Sequence, residues 1–250
     1  MHRVHFVGAG SGAPDLITVR GMNLLKKADV IVYAGSLVNP ELLKYAEKKP
    51  DIYNSAEMHL DQILHVIEEA FRSGKQVVRL HTGDPSIYGA VREQMDELSR
   101  RGIPVDVCPG VSSFTAAAAS LRAEFTLPGV SQSVILTRMA GRTPVPEREN
   151  LRSLAAHGAS MAVFLSVSMI RTMQEELLAS GGYQEDTPCA VVYKASWPEE
   201  KQIRTVLSEL ADAVEREEIV KTALVLVGDF LGDTYDLSCL YDSEFHTEFR

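Results

Sequence analysis

One strand-to-helix turn organises the chain, and it lies in the stretch Arg79-Leu80-His81-Thr82-Gly83-Asp84-Pro85-Ser86-Ile87-Tyr88-Gly89. The sequence predicts an apolar strand at residues 76–80, a turn at Gly83, Asp84 and Pro85, and a helix at about 90–101. Glycine permits a positive φ, aspartate offers a fixed acceptor, and proline stiffens the residues after it. Open α/β sheets bind ligands at the carboxyl ends of their strands, so this turn is either an ordinary βα turn or one wall of a ligand site.

Two other glycine-bearing turns also come after predicted strands. The strand at 3–7 leads into Gly8-Ala9-Gly10-Ser11-Gly12, and the strand at 103–107 leads into Pro109-Gly110-Val111-Ser112-Ser113. Either serine of the second turn, taken alone, is explained equally well as the N-cap of a helix. Three such turns after three strands of a parallel sheet favour a shared ligand cleft.

The rest of the chain alternates between strand and helix patterns, which is typical of an α/β protein. Further strands are predicted at 30–33, 134–137, 161–165, 190–193, 203–206 and 223–227. Further helices are predicted at about 18–28, 40–47, 61–74, 114–120, 149–156, 168–179 and 207–217. The strands at 190–193 and 203–206 follow each other closely enough for a hairpin, so the second sheet is predicted to be mixed. We predict two domains, at 1–112 and 113–250.

Composition excludes several classes of protein. The formal net charge of −9 over 250 residues provides no basic excess to neutralise phosphates, which argues against a nucleic-acid partner. Cys108, Cys189 and Cys239 show neither a disulfide pattern nor a zinc spacing, and they suit a reducing compartment. The amino terminus reads as a strand and turn rather than a signal peptide, and the longest apolar runs are of strand length. We therefore expect a soluble, cytoplasmic protein without a membrane span.

The first glycine turn also suggests a dinucleotide site, because such turns bring a helix amino terminus to a pyrophosphate. Two details disfavour a nicotinamide-dependent oxidoreductase: Ala13 occupies the sixth position of the G-x-G-x-x-G spacing, and Tyr33-Ala34-Gly35-Ser36 contains no acidic residue for a ribose. There is also no Ser-His-Asp order and no metal-ligand spacing. We therefore expect neither a covalent catalytic residue nor a protein-bound metal.

Several basic residues are candidates for binding an anionic ligand. One cluster lies in and after a loop with glycine and proline, and it consists of Arg138, Arg142, Arg148 and Arg152. Lys194 comes after another predicted strand, beside Trp197, the only tryptophan. Solvated surface is the ordinary explanation for any one arginine, but a group of them binds carboxylates well through planar, bidentate contacts.

Read together, these motifs resemble the signatures of one family, the tetrapyrrole methylases. The segment 7–21, VGAGSGAPDLITVRG, resembles the opening signature of that family, and Gly83-Asp84-Pro85 with Tyr88-Gly89 resembles the second. Pro109-Gly110-Val111-Ser112-Ser113 resembles the third, and all three stand in the family's order. The segments 33–38, 135–138 and 193–198 look like the branch that methylates C11 of precorrin-4 or cobalt-precorrin-4 in cobalamin biosynthesis.

The resemblance implies a fold and a cofactor. The fold is α/β, with two α/β domains of the class III methyltransferase type, a parallel amino-terminal sheet, a mixed carboxy-terminal sheet and a cleft between them. S-adenosylmethionine is expected in that cleft, usually in a homodimer. Carried over position by position, the cofactor-binding residues are Pro14, Thr82, Gly83, Asp84, Ile87, Ser112, Ser113, Leu165 and Ala195. Two positions depart from the pattern: Ser11, where many relatives carry proline, and Ala195, where other branches often have glycine.

The resemblance also implies a substrate. We expect an anionic tetrapyrrole of the precorrin type, whose acetate and propionate arms bind to Arg138, Arg142 and Lys194. The intact Gly83-Asp84-Pro85 turn and Met58-His59-Leu60 look more like the type that takes the cobalt-bound substrate. Alternatives are a methylase of another branch, acting on uroporphyrinogen, another precorrin, diphthamide or ribosomal RNA, and a non-catalytic binding module.

Overall fold

The structure is a computed structural model that describes residues 2–35, 37–241 and 245–246. It contains two compact units. Unit 1 consists of Met1–Ala116 together with Lys194–Pro198, and unit 2 consists of Ala117–Tyr193 and Glu199–Arg250. The boundary between residues 112 and 113 stays a prediction. Nothing in the sequence pattern indicated that Lys194–Pro198, far along the second half of the chain, belongs to unit 1.

Unit 1 contains a five-stranded parallel sheet. Its strands are β1 (Val4–Gly8), β2 (Val30–Tyr33), β3 (Asp51–Asn54), β4 (Val77–His81) and β5 (Val105–Cys108). They lie in the order β3-β2-β4-β1-β5. Strand β3 was not predicted: it is an edge strand of four residues, mostly exposed, so it has no buried face to impose an apolar pattern.

The helices of unit 1 are α1 (Val19–Lys27), α2 (Leu60–Arg72), α3 (Arg92–Arg100) and the start of α4 (Ser113–Leu121), along which unit 1 ends. Thr18 caps α1 by accepting a hydrogen bond from the Gly21 backbone N–H at 3.1 Å. Helix α2 starts one residue earlier than the predicted cap at Asp61, and the Gln62 side chain accepts from the His59 N–H at 2.8 Å. The helix predicted at 40–47 is a 3-10 helix, Pro40–Tyr45.

Apolar side chains are buried on both faces of the parallel sheet. Phe6 and Val77 belong to the cluster that packs against α2 and α3, whereas Val78 and Leu80 belong to the cluster on the opposite face, with α1. Burial on both faces explains why these strands read as continuous apolar runs rather than alternating ones. The sheet therefore presents only its strand ends and its edges for binding.

Unit 2 contains a five-stranded mixed sheet. Its strands are β6 (Val134–Arg138), β7 (Ser160–Phe164), β8 (Pro188–Tyr193), β9 (Lys201–Val206) and β10 (Ala223–Val227), and its helices after α4 are α5 (Leu151–Ala155), α6 (Ile170–Leu178) and α7 (Leu210–Arg216). The order is β6-β7-β10-β8-β9, with β6 and β7 parallel and the other pairs antiparallel. The predicted fold class, a parallel α/β sheet followed by a mixed one, is confirmed. Within the described ranges, no helix has both the length and the apolar character needed to cross a bilayer.

Candidate functional site

Three strand-end turns meet in unit 1, because β4, β1 and β5 are neighbours in the sheet. A Cβ atom added to Gly8 would lie 2.6 Å from both the Gly110 Cα and the Gly83 carbonyl oxygen. Gly83 and Gly10 exchange backbone hydrogen bonds, with N–O distances of 2.9 and 3.3 Å. A side chain at Gly8 would push the turns apart, so glycine is required there for the backbones to touch. The shared location that the sequence predicts for the three turns is therefore found.

Asp84 ties two of these turns together. Its Oδ2 accepts a hydrogen bond from the Gly110 backbone N–H at 2.8 Å, and its Oδ1 accepts from the Ser86 backbone N–H at 2.8 Å and from the Ser86 hydroxyl. Partial burial raises the pKa of this carboxyl, but the hydrogen bonds from Ser86 and Gly110 outweigh burial and leave the pKa below its usual value. Asp84 is thus an ionised group whose two oxygens are already engaged.

Thr82 carries the clearest unused polar atom of this region. Its hydroxyl oxygen is buried and has no hydrogen-bond partner among the residues that the structure describes. A buried hydroxyl without a partner is costly, which points to a ligand atom or a water molecule as the missing partner. Gly83 beside it is buried and has a φ of 59°, which favours glycine. The Thr82 hydroxyl is therefore a candidate contact for a polar ligand.

The other predicted cofactor residues of unit 1 also lie in the strand-end turns. Pro14 begins the 3-10 helix Pro14–Leu16 after β1, and Ile87 is half-buried in the turn after β4. Ser112 is buried before the first residue of α4, Ser113. Helix α1 begins only at Val19, beyond the glycine turn, so its amino terminus does not directly follow β1 as it does in a dinucleotide site.

A buried polar network beneath the turn after β4 was not predicted. Arg79 is 3% exposed and donates from Nε to the Gln94 side-chain oxygen at 3.0 Å and from Nη1 to the Val32 carbonyl at 3.2 Å. The Gln94 amide then donates to the carbonyl of Ala90 at 3.0 Å. Ala90 has a φ of 48°, an unfavourable value for a residue with a Cβ. Arg79 therefore fixes the Gln94 side chain, and Gln94 in turn holds the strained Ala90 at the end of this turn.

His81, two residues after Arg79 in β4, is also ionisable and buried. It is 5% exposed, its ring stacks on Phe6 with 6.0 Å between centroids, and its Nε2 has no hydrogen-bond partner among the described residues. Burial, and after it the charge of Arg79, lowers the pKa of His81 to about 3, while burial lowers the pKa of Arg79 to about 10. At neutral pH Arg79 is charged and His81 is neutral. The signal in the sequence was two polar residues in an otherwise apolar strand.

Lys194 and Ala195 also belong to unit 1, in the segment Lys194–Pro198. Ala195 is buried and lies between two residues with positive φ, Lys194 at 48° and Ser196 at 68°. The Lys194 ammonium lies 5.4 Å from the centre of the Trp197 ring, within the range of a cation–π contact. The single tryptophan is therefore next to the predicted site residues, as its position in the sequence suggested.

Unit 2 holds the remaining predicted residues at the ends of its two parallel strands. Leu165 comes directly after β7, is 67% exposed and has a φ of 54°. Ser166 beside it is fully buried, donates its hydroxyl to the Phe164 carbonyl at 2.7 Å and accepts from the Met139 N–H at 2.9 Å. Non-glycine residues in this conformation concentrate at functional sites. Ser166, which was not predicted, joins the ends of β6 and β7 and presents Leu165 to solvent.

The four clustered arginines of unit 2 are used in different ways. The Arg138 guanidinium folds back on its own loop and donates to the carbonyls of Met139, Thr143 and Pro144 at 2.8–3.1 Å. Arg148 and Arg152 form ion pairs with neighbouring glutamates. The exposed Arg142 side chain has no hydrogen-bond or ion-pair partner among the described residues. Arg138 thus shapes the loop that carries Arg142.

Comparison with known proteins places these features in a family. Residues 3–211 match the profile of the tetrapyrrole (corrin/porphyrin) methylases. The chain is 56% identical to cobalt-precorrin-4 C(11)-methyltransferase of Methanocaldococcus jannaschii, over 99% of this chain and 96% of that protein. It is 44% identical to precorrin-4 C(11)-methyltransferase of Pseudomonas aeruginosa, over 99% of this chain and 98% of that protein.

Solved structures agree with the sequence relatives. A cobalt precorrin-4 methyltransferase, a cobalamin biosynthetic enzyme, superposes with a TM-score of 0.90 at 46% identity, covering 92% of this chain and 96% of the other. Uroporphyrin-III C-methyltransferase of Thermus thermophilus, complexed with S-adenosylhomocysteine, superposes with a TM-score of 0.76 at 28% identity, covering 92% and 93%. Profile, identity and fold agree over nearly the whole chain, so the chain belongs to the tetrapyrrole (corrin/porphyrin) methylases, as its three glycine-bearing turns indicated.

Proposed function

We propose that this methyltransferase transfers a methyl group from S-adenosylmethionine to C11 of cobalt-precorrin-4, in the biosynthesis of cobalamin. The observation that carries the proposal is the 56% identity, over almost the full length of both chains, to a relative that bears this activity in its name. The choice of the cobalt-bound substrate rests on this one relative, because a second relative named for cobalt-precorrin-4 is 45% identical and those named for precorrin-4 are 43–47% identical.

The residues of unit 1 fit S-adenosylmethionine as the methyl donor. The structural neighbour complexed with S-adenosylhomocysteine supports this choice. The unpartnered Thr82 hydroxyl suits the polar groups of the amino acid or ribose of S-adenosylmethionine. Pro14, Ile87, Ser112 and Ser113 line the same strand ends, and we propose Leu165 and Ala195 as further contacts. When bound, S-adenosylmethionine supplies a methyl group that is attached to a sulfonium. Loss of this methyl group converts the sulfonium into a neutral thioether.

Substrate binding requires charge from the protein, because the acetate and propionate arms of a precorrin are anionic. Arg142 is exposed and has no other partner among the described residues, so it is the strongest candidate to bind a carboxylate in a bidentate manner. Lys194 is a second candidate, held over the Trp197 ring. Arg138 contributes mainly by shaping the loop that presents Arg142.

The chemical step needs alignment more than activation. A carbon–carbon bond forms at C11 while the carbon–sulfur bond breaks, and the electron pair of the broken bond stays on sulfur. A well-oriented pair of reactants gains a rate advantage that corresponds to about 7–11 kcal/mol. We assign this alignment to the glycine turns, which Asp84 holds together, and to the basic side chains that orient the macrocycle. The proposal includes no covalent intermediate and no protein-bound metal.

We propose further that the enzyme acts as a homodimer in the cytoplasm without a nucleic-acid partner. The net charge of −9 supports the absence of a nucleic-acid partner, and the three free cysteines support a reducing compartment. Light scattering on the eluted peak of a sizing column measures the oligomeric state. A mass of one chain at micromolar concentration would contradict the dimer.

The decisive experiment is a substrate panel. Purified protein is incubated with S-adenosylmethionine and, separately, cobalt-precorrin-4, precorrin-4 and uroporphyrinogen III, and the products are analysed by mass spectrometry. We expect the mass gain of one methyl group on cobalt-precorrin-4, with NMR of an isotope-labelled methyl donor locating it at C11. Methylation of uroporphyrinogen III alone would assign the chain to another branch of the family, and methylation of precorrin-4 alone would overturn the choice of metal state.

A further inference from the structure

Hydrogen bonds join the segment Lys194–Pro198 to residues 11–13, at the end of the first glycine turn. The Trp197 indole Nε1 donates to the Ser11 carbonyl at 3.0 Å, and the Ser196 hydroxyl accepts from the Ala13 backbone N–H at 3.0 Å. The hydroxyls of Ser11 and Ser196 lie 2.8 Å apart and share a third hydrogen bond. Ser11 is 7% exposed, so these contacts are largely shielded from water.

Shape adds to these hydrogen bonds. A Cβ atom on Gly12 would overlap the Trp197 ring, so the ring packs directly on the backbone of the turn. On the same residue, the Gly12 carbonyl accepts a buried hydrogen bond from the Asn39 side chain at 2.9 Å. The turn is therefore fixed both by the indole and by Asn39, and it offers Lys194–Pro198 a rigid surface.

The backbone of the segment needs such support. Lys194 and Ser196 both have left-handed φ values, 48° and 68°, which are strained in residues with a Cβ. The backbone N–H of Trp197 closes the turn by donating a hydrogen bond to the Lys194 carbonyl at 2.9 Å. Ala195, a proposed cofactor contact, lies between the two strained residues. Its position therefore depends on the contacts that Ser196 and Trp197 make with the first turn.

We propose that Ser11, Ser196 and Trp197 form a clasp that positions Ala195 for S-adenosylmethionine. The clasp rests on the proposed use of this methyl donor, and its three members are positioning residues rather than catalytic ones. Serine at position 11 has a defined role in this clasp, because its side chain supplies the hydroxyl that meets Ser196. Proline at this position has no such hydroxyl.

Opening the clasp lowers affinity for the cofactor by depopulating the conformation that binds it. When only about a tenth of the molecules hold the segment in place, the apparent Kd rises about tenfold. Ser11→Ala and Trp197→Phe each remove one of these hydrogen bonds, and Trp197→Phe keeps an aromatic ring. Ser196→Ala removes two, because the Ser196 hydroxyl meets both Ser11 and Ala13. Ser196→Gly removes the hydroxyl and also relieves the left-handed strain, so it preserves the fold while opening the clasp. Ser99→Ala, an exposed serine on α3, is the matched control.

Calorimetric titration with S-adenosylhomocysteine tests the clasp, and fluorescence supports it because Trp197 is the only tryptophan. We expect each clasp variant to bind about tenfold more weakly, with the Ser11→Ala/Ser196→Ala double variant losing less than the sum of the two. Emission should shift to longer wavelength in Ser11→Ala and Ser196→Ala and stay unchanged in Ser99→Ala. Urea unfolding should leave the free energy of unfolding of Ser196→Gly close to the wild-type value.

The outcomes separate the clasp from the proposed function. If the wild-type protein binds S-adenosylhomocysteine and the clasp variants bind it equally well, the clasp is wrong and the function stands. Tenfold weaker binding that is accompanied by a fall in unfolding free energy in every variant, Ser196→Gly included, would also overturn it, because it would indicate general loss of structure. If the wild-type protein binds neither S-adenosylmethionine nor S-adenosylhomocysteine, the proposed function fails, and the clasp fails with it.

Discussion

The carboxylate of Asp84 accepts a hydrogen bond from the backbone N–H of Gly110, with 2.8 Å between Oδ2 and N. This contact joins the turn after β4 to the turn after β5, and the second carboxylate oxygen is engaged by Ser86. The sequence predicts Asp84 as a cofactor contact. In the structure its first task is to hold two walls of the candidate site together, so substitutions at this residue should affect stability as well as binding.

Asp84→Ala should destabilise the fold and weaken cofactor binding together. The variant leaves the N–H groups of Gly110 and Ser86 without an acceptor, which costs about 1–3 kcal/mol of unfolding free energy. Asp84→Asn keeps one acceptor oxygen and should lose less. Urea unfolding and titration with S-adenosylhomocysteine measure the two effects. Weaker binding at unchanged stability would show instead that Asp84 acts mainly through direct contact with the ligand.

His81 should make the protein less stable in mild acid. Its folded-state pKa is about 3 because of burial and the nearby charge of Arg79, against 6.5 for an ordinary histidine. Between these values the unfolded chain binds a proton that the folded chain does not, so stability falls as pH drops from 6.5 towards 3. The contribution of this one group has a slope of at most about 1.4 kcal/mol per pH unit.

Urea unfolding of the wild type and of His81→Gln at several pH values checks this prediction. His81→Gln should flatten the pH dependence of stability between pH 6.5 and about 3, in comparison with the wild type. Parallel curves for the wild type and His81→Gln would refute the assignment.

Variants of Gln94, in the buried network beneath the turn after β4, should separate the effect of charge on stability from the effect of hydrogen bonding. Gln94→Leu leaves the Arg79 Nε–H and the Ala90 carbonyl unpaired and should cost about 2–3 kcal/mol of unfolding free energy. Gln94→Glu keeps an acceptor for Arg79 and adds a compensating charge, but it loses the N–H that donates to Ala90. We expect near wild-type stability in Gln94→Glu, with faster hydrogen exchange in residues 88–92. Unchanged exchange there would mean that Gln94 does not hold the strained turn.

Arg142 and Arg138 should respond differently to truncation. Arg142→Ala should raise the KM for the tetrapyrrole about 10- to 100-fold without a change in melting temperature, because a charged hydrogen bond to a carboxylate contributes about 1.5–3 kcal/mol. Arg138→Ala should lower the melting temperature, since its guanidinium holds three carbonyls of its own loop. Arg148→Ala, an exposed arginine beyond the same loop, is the control. An unchanged KM in Arg142→Ala would remove Arg142 from the substrate site.

Much of the fold can be predicted from local patterns. The strands at Val30–Tyr33 and Ala223–Val227 agree with the prediction residue for residue, because both are short apolar runs between clear turn signals. The edge strand Asp51–Asn54 was not predicted, since its side chains are mostly exposed and carry no burial pattern. The helix at Leu60–Arg72 was recognised by its apolar stripe, while its first residue was set by the Gln62 side chain.

The alternation of elements, the three glycine-bearing turns and the family could all be read from the sequence, because they depend on residues that are neighbours along the chain. How the turns are held together is a property of the tertiary structure. Asp84 meets Gly110 across 26 residues, Arg79 meets Gln94 across 15, and Ser11 meets Ser196 across 185. Such pairings depend on which strand ends become neighbours in the folded sheet, and local sequence periodicity carries no information about that.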